Sequence, residues 1–432
     1  MALPLGSDAR AGLAPATPPV RAGAREARSK PGGRLRVCHL AYTFYENDNR
    51  VIRYAEALAE RGAEVDVIAL RRPGQPALGT SGRVRVRRIQ QRQVDEKRAW
   101  SYLLKILVFF VRASLVLSVL GIQKRYDIVH VHNVPDFLAF AALVPRLLGA
   151  RIILDIHDIL PELYAGKFGA GPGSVTFRAL LFVERVSCRF AHHVVVSNHL
   201  WHAKLADRAV PAARCTTIMN YPDLELFKPL PAGCHRKDGP FIALYPGTLN
   251  HHQGVDIAIR AFGLARDRMP DAELHVYGEG PARPQLERLT HELGLSGRVV
   301  LLPRLPLEEI ALVMAAADVG VVPKRADGFG NEAFSTKVLE FMACGVPVIG
   351  ARTKVDRHYF DDTLVRFFTP GDPVDLASAM VSVYEGRAGH GGWTRTAREF
   401  ASRNSWQARS GDYLQIIDSL IAGRAPRPAV AW

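Results

Sequence analysis

The sequence predicts an α/β protein made of two doubly wound, parallel-sheet domains. Its 432 residues are too many for one ordinary hydrophobic core. Short apolar runs alternate with helical patterns in both halves, which is typical of βα units on a parallel sheet. Between the halves, residues 220–240 contain four prolines and little apolar periodicity, so we interpret them as a linker.

The first domain is predicted to cover residues 34–219. A strand at 35–41, a helix at 50–61 and a strand at 65–70 open it. Three more apolar runs predict strands at 127–132, 152–157 and 191–197. Ligand loops lie at the carboxyl ends of parallel strands, so residues 42–49, 132–136 and 157–162 should share one edge of the sheet.

The second domain is predicted to cover residues 241–394. The same alternation resumes there, and we expect helices at 374–385 and 393–422. Its predicted strands lie at 241–245, 274–277, 299–302, 319–322 and 346–349.

Residues 1–33 are rich in Ala, Pro, Gly and Arg and are predicted to form a disordered tail. The beginning of the chain lacks the apolar core of a secretory signal, so export is not indicated. The five cysteines are scattered and include no Cys-x-x-Cys pair. We therefore expect a reducing, cytoplasmic location, without a disulfide framework. The histidines show no metal-ligand spacing, so no metal site is predicted.

The net charge of +14 is unevenly distributed. Residues 71–125 hold thirteen Lys or Arg against two acidic residues, a local excess of eleven. Nucleic acid is not predicted as a partner, because no recognition motif or spaced stacking aromatics accompany the charge. An anionic membrane surface fits better, since the basic block continues into the apolar stretch 100–120.

That apolar stretch has three interpretations. Lys105 and Arg112 argue against a membrane span. A helix packed within the first domain is the second interpretation. The third is a helix in contact with the bilayer surface, which would make the protein peripheral on the inner face of the membrane.

The pair Glu332 and Glu340 is the most informative feature for function. Residues 327–331 read as a turn-rich loop, Ser335 or Thr336 as a helix cap, and 337–344 as a helix that ends at Gly345. Free N–H groups at the start of that helix attract anions. The two carboxylates beside them can accept hydrogen bonds from sugar hydroxyls, so the segment suits a nucleotide sugar.

This segment resembles the family-4 glycosyltransferases of the GT-B fold, the group 1 glycosyltransferases. Their signature is two Glu separated by seven residues, followed by a Met-Ala-x-Gly-x-Pro-Val-like run, as at 332–348 here. Three upstream segments, 245–256, 274–280 and 316–323, follow the family's order and approximate spacing. The resemblance implies two Rossmann-like domains facing across a cleft. The first would be the acceptor side, the second would bind the nucleotide sugar, and a last helix at 395–422 would cross back to the first.

The resemblance also implies roles for the motif residues. Glu332 would lie by the donor sugar and phosphates as a catalytic residue, and Glu340 would bind the nucleotide ribose. Gly247 and Gly254 would bracket a loop whose backbone approaches phosphate. The backbone N–H groups that would face the diphosphate belong to Phe334, Ser335 and Thr336.

The chain departs from the family in the loop after the second domain's first strand. Many members carry an Arg and a Lys there that contact the diphosphate, whereas this sequence has Thr248 and Gln253. The diphosphate charge then needs other partners. Lys337 in the first turn of the helix is the leading candidate, with pairing to Glu340 as its alternative role. Arg50 is second, and Lys324, with its neighbour Arg325, is third.

In the first domain, His157 resembles the family histidine that ends a strand and faces the donor sugar. A neutral imidazole there can hydrogen bond to a sugar hydroxyl or orient the acceptor. Further acceptor-side candidates are Asp158, Glu162, His132 and Asn133.

The resemblance implies a retaining transferase that moves a sugar from a nucleotide-diphosphate sugar to a glycan or lipid-linked acceptor, in polysaccharide or glycolipid biosynthesis. The protein's main task would be to stabilise the leaving diphosphate. No Asp-x-Asp-like metal clamp is present in the sequence, and no metal cofactor is expected. Two alternatives stay open: a GT-B nucleotide-sugar epimerase, and a catalytically silent GT-B scaffold, which the missing Arg and Lys make plausible.

Overall fold

The computed structural model describes residues 33–92, 99–168, 171, 173–231, 239–389 and 391–426. Nearly all of the predicted disordered tail, part of the predicted linker and Cys234 lie outside these residues. The described chain forms one eight-stranded sheet and one six-stranded sheet, each covered by helices. This confirms the predicted α/β class with two sheet domains.

The first sheet has the order β3-β4-β2-β1-β5-β6-β7-β8 and is parallel except for β3. Asp48 caps α1 by accepting a hydrogen bond from the Val51 N–H, and the predicted apolar face of that helix is buried. The strands are β1 (Arg36–Ala41), β2 (Glu64–Arg71), β3 (Leu78–Ser81), β4 (Val84–Gln91), β5 (Ile128–His132), β6 (Arg151–Ile156), β7 (His193–Val196) and β8 (Cys215–Thr217). The helices are α1 (Asn49–Glu60), α2 (Ala99–Lys124), α3 (Leu143–Leu147), α4 (Leu160–Phe168), α5 (Val175–Phe190) and α6 (His199–Arg208), with a 3₁₀ segment at Asp136–Ala142.

Strands β3 and β4 were not predicted, and they lie inside the basic block. In β4, buried valines alternate with arginines, a period-two pattern that the charge concealed. Arg85 pairs with Asp66 at 3.1 Å, and Arg88 pairs with Glu46. Residues 71–125 are therefore not one free basic face, because acids elsewhere in the fold neutralise part of their charge.

The second sheet has the order β11-β10-β9-β12-β13-β14 and is entirely parallel. The chain continues from β9 to β10 on one side, and from β12 to β13 on the other side. The loops after β9 and β12 therefore diverge at a topological switch point, where ligands bind in such sheets. The strands are β9 (Phe241–Pro246), β10 (Ala272–Tyr277), β11 (Val299–Leu302), β12 (Val319–Val322), β13 (Val348–Ala351) and β14 (Arg366–Phe368). The helices are α7 (Val255–Ala265), α8 (Arg283–Glu292), α9 (Leu307–Ala315), α10 (Thr336–Ala343), α11 (Lys354–Tyr359), α12 (Pro373–Glu385), α13 (Gly391–Arg403) and α14 (Trp406–Ile421).

Two predicted boundaries were wrong. Strand β13 begins two residues later than expected, because the Val346 N–H still bonds to the Phe341 carbonyl at the end of α10. The predicted helix 395–422 is two helices, because the chain breaks at Asn404 and the Ser405 side chain caps α14. α14 reaches the first domain, where Tyr413 stacks on Tyr54 of α1 with ring centroids 4.0 Å apart.

Candidate active site

The loop that carries Glu332 is held rigidly between β12 and α10. Asp327 accepts hydrogen bonds from the N–H groups of Gly330 and Asn331. The Asn331 side chain in turn accepts one from the N–H of Lys354 at 2.7 Å. Two turns thus brace each other, and Glu332 is fixed at the end of the loop nearest the first domain.

The Glu332 carboxylate lies between two lysines of different domains. Lys204 of α6 contacts it at 2.6 Å, and Lys354 of α11 contacts it at 3.4 Å. Lys204 also contacts Glu162 at 3.4 Å. The predicted catalytic Glu332 and the predicted acceptor-side Glu162 therefore meet through one first-domain lysine. The Glu332 side chain is only 14% exposed, and its short contact with Lys204 is a charge-assisted hydrogen bond.

The loop after β9 meets the first turn of α10 through a lysine. Gly247 has a φ of 150°, which favours glycine, and a methyl group on it would lie 2.4 Å from Cε and 2.9 Å from Nζ of Lys337. The Lys337 ammonium also lies over the Tyr245 ring. Lys337 thus lies where the predicted diphosphate loop begins. This loop has no positive charge of its own at the two positions where many family members carry Arg and Lys.

The two residues that replace the expected Arg and Lys stabilise this loop. The Tyr245 hydroxyl donates to the Thr248 carbonyl at 2.8 Å and lies 3.2 Å from the Gln253 side chain. Gly254 has a left-handed backbone, with φ of 68°, and a Cβ there would collide with the Pro323 carbonyl. The packing of Gly254 is thus already explained by Pro323, whereas we had expected the glycine to make room for phosphate.

Glu340 lies one turn beyond Lys337 and faces the first domain. Burial raises the pKa of its carboxyl, and the charges of Lys337 and Arg53 only partly offset this effect. Burial likewise lowers the pKa of the Lys337 ammonium, which Glu340 only partly offsets. Arg53 belongs to α1, so the start of α10 lies close to the first domain as well as to Gly247.

The start of α10 is open to an additional acceptor. Ser335 occupies the cap position, but its side chain makes no capping hydrogen bond, and its buried hydroxyl oxygen has no partner among the described residues. Thr336 is the first helical residue. The Phe334 ring packs on the Tyr359 ring with centroids 5.1 Å apart, and its predicted role toward an anion rests on its backbone N–H.

His157 ends β6 and is oriented by a buried carboxylate. Its Nε2 atom lies 3.2 Å from Asp155 Oδ2 and 3.2 Å from His132 Nδ1. Burial lowers the pKa of this imidazole, but Asp155 outweighs it and holds the His157 pKa above its ordinary value. Since Nε2 faces Asp155, Nδ1 is the ring nitrogen left for a ligand in the cleft.

Arg50 does not have the role that we predicted from the sequence. Its guanidinium forms two 2.8 Å hydrogen bonds with Asp155 and a third, at 3.0 Å, with Asn220. Burial would raise the pKa of Asp155, but Arg50 and His157 hold it well below its usual range. Arg50 is a buried counter-ion beneath His157 and has no guanidinium nitrogen pair left for a diphosphate.

His132 and Asn133 are also corrected, because both are buried and cannot contact an acceptor directly. His132 is 1% exposed and sits between His39 and His157. Asn133 accepts from the His157 N–H and donates to the Asp158 carbonyl, each at 2.8 Å. They position His157. Asp158 keeps a partly exposed side chain, and burial raises its pKa.

This cluster also has atoms at metal-ligand spacing. His132 Nδ1, His157 Nε2 and Asp155 Oδ2 lie 3.2–3.3 Å from one another, and His39, His130 and His132 form a second such group. The Arg50 guanidinium already neutralises the negative charge of Asp155, and it would repel a second cation beside that carboxylate. We therefore interpret the cluster as a hydrogen-bonded support for His157.

Lys324, the third predicted cation, is also corrected. Only 3% of it is exposed, and its ammonium pairs with Asp356 at 2.8 Å and donates to the Ala333 carbonyl at 2.7 Å. It holds the Glu332 loop from within the domain. Its neighbour Arg325 pairs with Asp256 at 2.6 Å. Of the three predicted cations, Lys337 alone is placed beside Gly247.

Three further residues were missed in the sequence: Lys204, Asp155 and Arg53. Lys204 and Arg53 belong to amphipathic helices, where a cation normally reads as a solvated charge. Asp155 did carry a signal, because a carboxylate in the middle of an apolar strand is rarely buried without a partner.

Comparisons with known proteins agree with the two-domain architecture. The family model for "Glycosyl transferases group 1" matches residues 232–400, and the model for "Glycosyl transferase 4-like domain" matches residues 48–220. The two matched regions correspond to the two sheet domains.

Two relatives give the level of similarity. The chain is 29% identical over 188 residues to the D-inositol 3-phosphate glycosyltransferase of Corynebacterium kroppenstedtii, covering 42% of this chain and 41% of that protein. It is 39% identical over 103 residues to the GDP-mannose-dependent alpha-(1-6)-phosphatidylinositol monomannoside mannosyltransferase of Mycolicibacterium smegmatis, covering 23% and 27%. The chain thus spans less than half the length of these two relatives.

Among solved structures, the sucrose-phosphate synthase of Thermosynechococcus elongatus superposes with a TM-score of 0.74 and 21% identity. The superposition covers 90% of this chain and 100% of that one. At this identity the likeness concerns the fold alone, and it confirms the predicted GT-B architecture.

Proposed function

The chain belongs to the group 1 glycosyltransferases, and from this premise we propose that it is a retaining hexosyltransferase. It moves a sugar from a nucleotide-diphosphate sugar to a glycan or lipid-linked acceptor in polysaccharide or glycolipid biosynthesis. One observation carries the proposal: the ammonium of Lys337 lies against Gly247 at the open start of α10, with Glu340 one turn away. A half-buried cation beside free helix N–H groups is suited to a leaving diphosphate.

The charges of this site support a donor held without a metal ion. Lys337 and the start of α10 face the same position, so both can take up the negative charge that develops on the diphosphate. A half-buried ammonium with a lowered pKa gains from an anionic partner. We expect EDTA to leave donor binding and transfer unchanged.

On the opposite side of the cleft, His157 presents Nδ1 for a sugar hydroxyl. The Asp155 contact fixes the ring, and Asn133 fixes the backbone, so the imidazole is held in place before the donor arrives. The carbonyls of His157 and Glu332 accept hydrogen bonds from the adjacent residues Ser197 and Asn198. These two hydrogen bonds hold His157 and Glu332 near each other. This proximity supports the proposal that both residues act on one substrate.

The acceptor is proposed from the relatives and from the charges near Glu162. The Mycolicibacterium relative is named for a phosphatidylinositol monomannoside and for GDP-mannose as donor. In this chain, Lys204, Glu162 and Arg208 form a polar group on the first-domain side of Glu332. These side chains can hydrogen bond to sugar hydroxyls of a glycan or glycolipid. We place the enzyme in the cytoplasm, peripheral to the inner face of the membrane that holds lipid-linked acceptors.

Nucleotide binding followed by product analysis tests this proposal. Thermal unfolding is measured with UDP, GDP, ADP and TDP, and a ligand at a hundred times its Kd should add about 2.7 kcal/mol to the free energy of unfolding. The matching donor sugars are then offered with lipid extracts and oligosaccharides, and NMR reads the anomer of the product. Stabilisation by none of the nucleotides favours the silent scaffold. A free, altered sugar formed without acceptor favours the epimerase, and an inverted anomer contradicts retention.

The role of Lys337 leads to a separate prediction. Lys337→Ala should weaken nucleotide binding by about 1–3 kcal/mol, the value of one charge-assisted hydrogen bond. Lys337→Met keeps most of the side-chain length without the charge and should lose a similar amount. Calorimetry with the best nucleotide measures both, with Lys228→Ala, at an exposed lysine, as the control. Unchanged affinity in the Met variant would show that Lys337 only packs against Gly247.

A further inference from the structure

Helix α2 is apolar on both its faces, and the described residues cover only one of them. The inner face packs into the first-domain core through Ile106, Phe109, Ala113, Leu117 and Leu120, each at most 6% exposed. The outer face presents bulky side chains at helical spacing that are 37–64% exposed. These outer residues are Leu104, Leu107, Val108, Val111, Leu115, Val119 and Ile122.

Length and composition would allow this helix to cross a bilayer. The segment Tyr102–Lys124 has 23 residues, and its most apolar 18-residue window has a mean hydropathy of 2.3 and is 28% buried. A span would, however, pull the inner residues out of the core that they form with β1, β2 and β5. The fold therefore keeps α2 on the domain, with its long apolar stripe facing outward.

The apolar surface extends beyond α2 within the same layer of helices. Gly121 of α2 lies so close to Pro145 of α3 that a Cβ would approach the proline ring to 2.9 Å. Next to it, Leu143 and Leu147 of α3 are 49% and 75% exposed. The 3₁₀ segment joins this layer to α5 through the ring contact between Phe140 and Phe190. On α5, Val175 and Phe182 are 83% and 68% exposed.

We call the outer faces of α2, α3 and α5 the helical face. The exposed charged side chains of these three helices are all positive. The only acidic residue in them is Glu184, which is buried and paired with Arg208 at 2.6 Å. The exposed cations are Arg112, Arg146, Arg178, Arg185 and Arg189. On α5 the exposed arginines share one side with Val175 and Phe182, at three- and four-residue intervals. Apolar residues interleaved with arginines are the composition of a helix that lies in an anionic membrane interface.

We propose that the helical face docks on an anionic bilayer surface, with α2 lying along the membrane and its leucines and valines inserted among the acyl chains. The start of α2 lies at the cleft, since Tyr102 contacts Tyr42, the first residue after β1. Docking thereby brings the cleft to the level of the lipid headgroups. The docking is independent of the catalytic chemistry, but its purpose, access to a lipid-linked acceptor, rests on the proposed function.

Vesicle binding of the full chain tests the docking. The protein is sedimented with vesicles of phosphatidylcholine alone and with vesicles of equal parts phosphatidylglycerol and phosphatidylcholine. We expect binding to the anionic vesicles that weakens with added salt. The variant Leu104→Glu/Val111→Glu/Leu115→Glu should lose at least about a hundredfold in partitioning, because three charges replace inserted side chains. Its matched control is Leu264→Glu/Leu312→Glu/Val374→Glu, which places the same charges on similarly exposed positions of the second domain.

A second set of variants separates charge from apolar insertion. Arg112→Gln/Arg178→Gln/Arg189→Gln should weaken binding to the anionic vesicles about a hundredfold, since each surface arginine contributes roughly fivefold. Arg260→Gln/Arg288→Gln/Arg304→Gln removes the same charge from exposed arginines of the second domain and should bind as the unchanged protein does. Equal losses in the two arginine sets would overturn the helical face as the docking site.

Two more outcomes decide against the proposal. If light scattering shows a dimer that the α2 variant converts to a monomer, and vesicles do not bind, the helical face joins two copies of the chain. If alkaline carbonate fails to release the bound protein, α2 spans the bilayer. Transfer to a water-soluble acceptor is measured on every variant. Loss of vesicle binding with unchanged soluble transfer separates failure of the docking from failure of the proposed function.

Discussion

Glu332→Gln is expected to reduce sugar transfer by about a hundred- to a thousandfold, the usual loss when one preorganised electrostatic group of a reaction centre is removed. The substitution keeps the size of the side chain but removes the negative charge that Lys204 and Lys354 share. The two ammonium groups would then face a neutral amide across the domain boundary. The charge beside the proposed donor sugar and the position of Lys204 should therefore both change.

The measurement is the initial rate of transfer with the donor identified by nucleotide binding. Nucleotide affinity should stay within about threefold, because Lys337 and the start of α10 are untouched. Glu292→Gln, at an exposed glutamate of the same domain, is the matched control and should transfer normally. Transfer near the unchanged rate by Glu332→Gln would mean that the Lys204 contact only joins the domains.

Asp155→Asn is expected to lower the free energy of unfolding by about 3–5 kcal/mol, because it leaves the Arg50 guanidinium buried without its counter-ion. Arg50 is 6% exposed and Asp155 is fully buried, so water cannot replace the lost carboxylate. The same change removes the group that raises the pKa of His157. The imidazole should therefore titrate at lower pH in this variant.

Denaturant unfolding gives the stability, and histidine NMR gives the titration of His157. Asp207→Asn, at an exposed aspartate of α6, is the control and should change stability by less than about 0.5 kcal/mol. The double variant Arg50→Met/Asp155→Leu removes both charges and should regain much of the loss, as replaced buried ion pairs often do. If the single variant Asp155→Asn were as stable as the unchanged protein, Arg50 would have found another partner.

The sequence predicted the fold well because sheet burial leaves a direct trace. Central strands are covered on both faces, so a strand such as 241–245 appears as an uninterrupted apolar run. Strand β4 was missed because it lies near the sheet edge, where arginines can alternate with valines and still reach partners. The break before α14 was missed because a Ser cap inside a helical pattern looks like an ordinary polar residue.

The candidate site was predicted in part, and the errors have a common cause. The role of Lys337 at the diphosphate stays a prediction, and the structure places its ammonium beside Gly247 because its distance along α10 from Ser335 fixes its direction. Arg50 and Lys324 have the same charge, yet Asp155 and Asp356 bind them inside the domains. Those partners are 105 and 32 positions away in the chain, so local spacing could not reveal them.

By itself, the sequence determined the two sheets, the family and the position of the helix start that we propose binds an anion, since strand burial and helix geometry are local properties of the chain. The tertiary structure decided which cation is available to a ligand, which histidine faces the cleft and which side of α2 remains uncovered. These depend on distant segments coming together. A buried charge takes the nearest opposite charge in space, and an apolar face is covered only where another element packs against it.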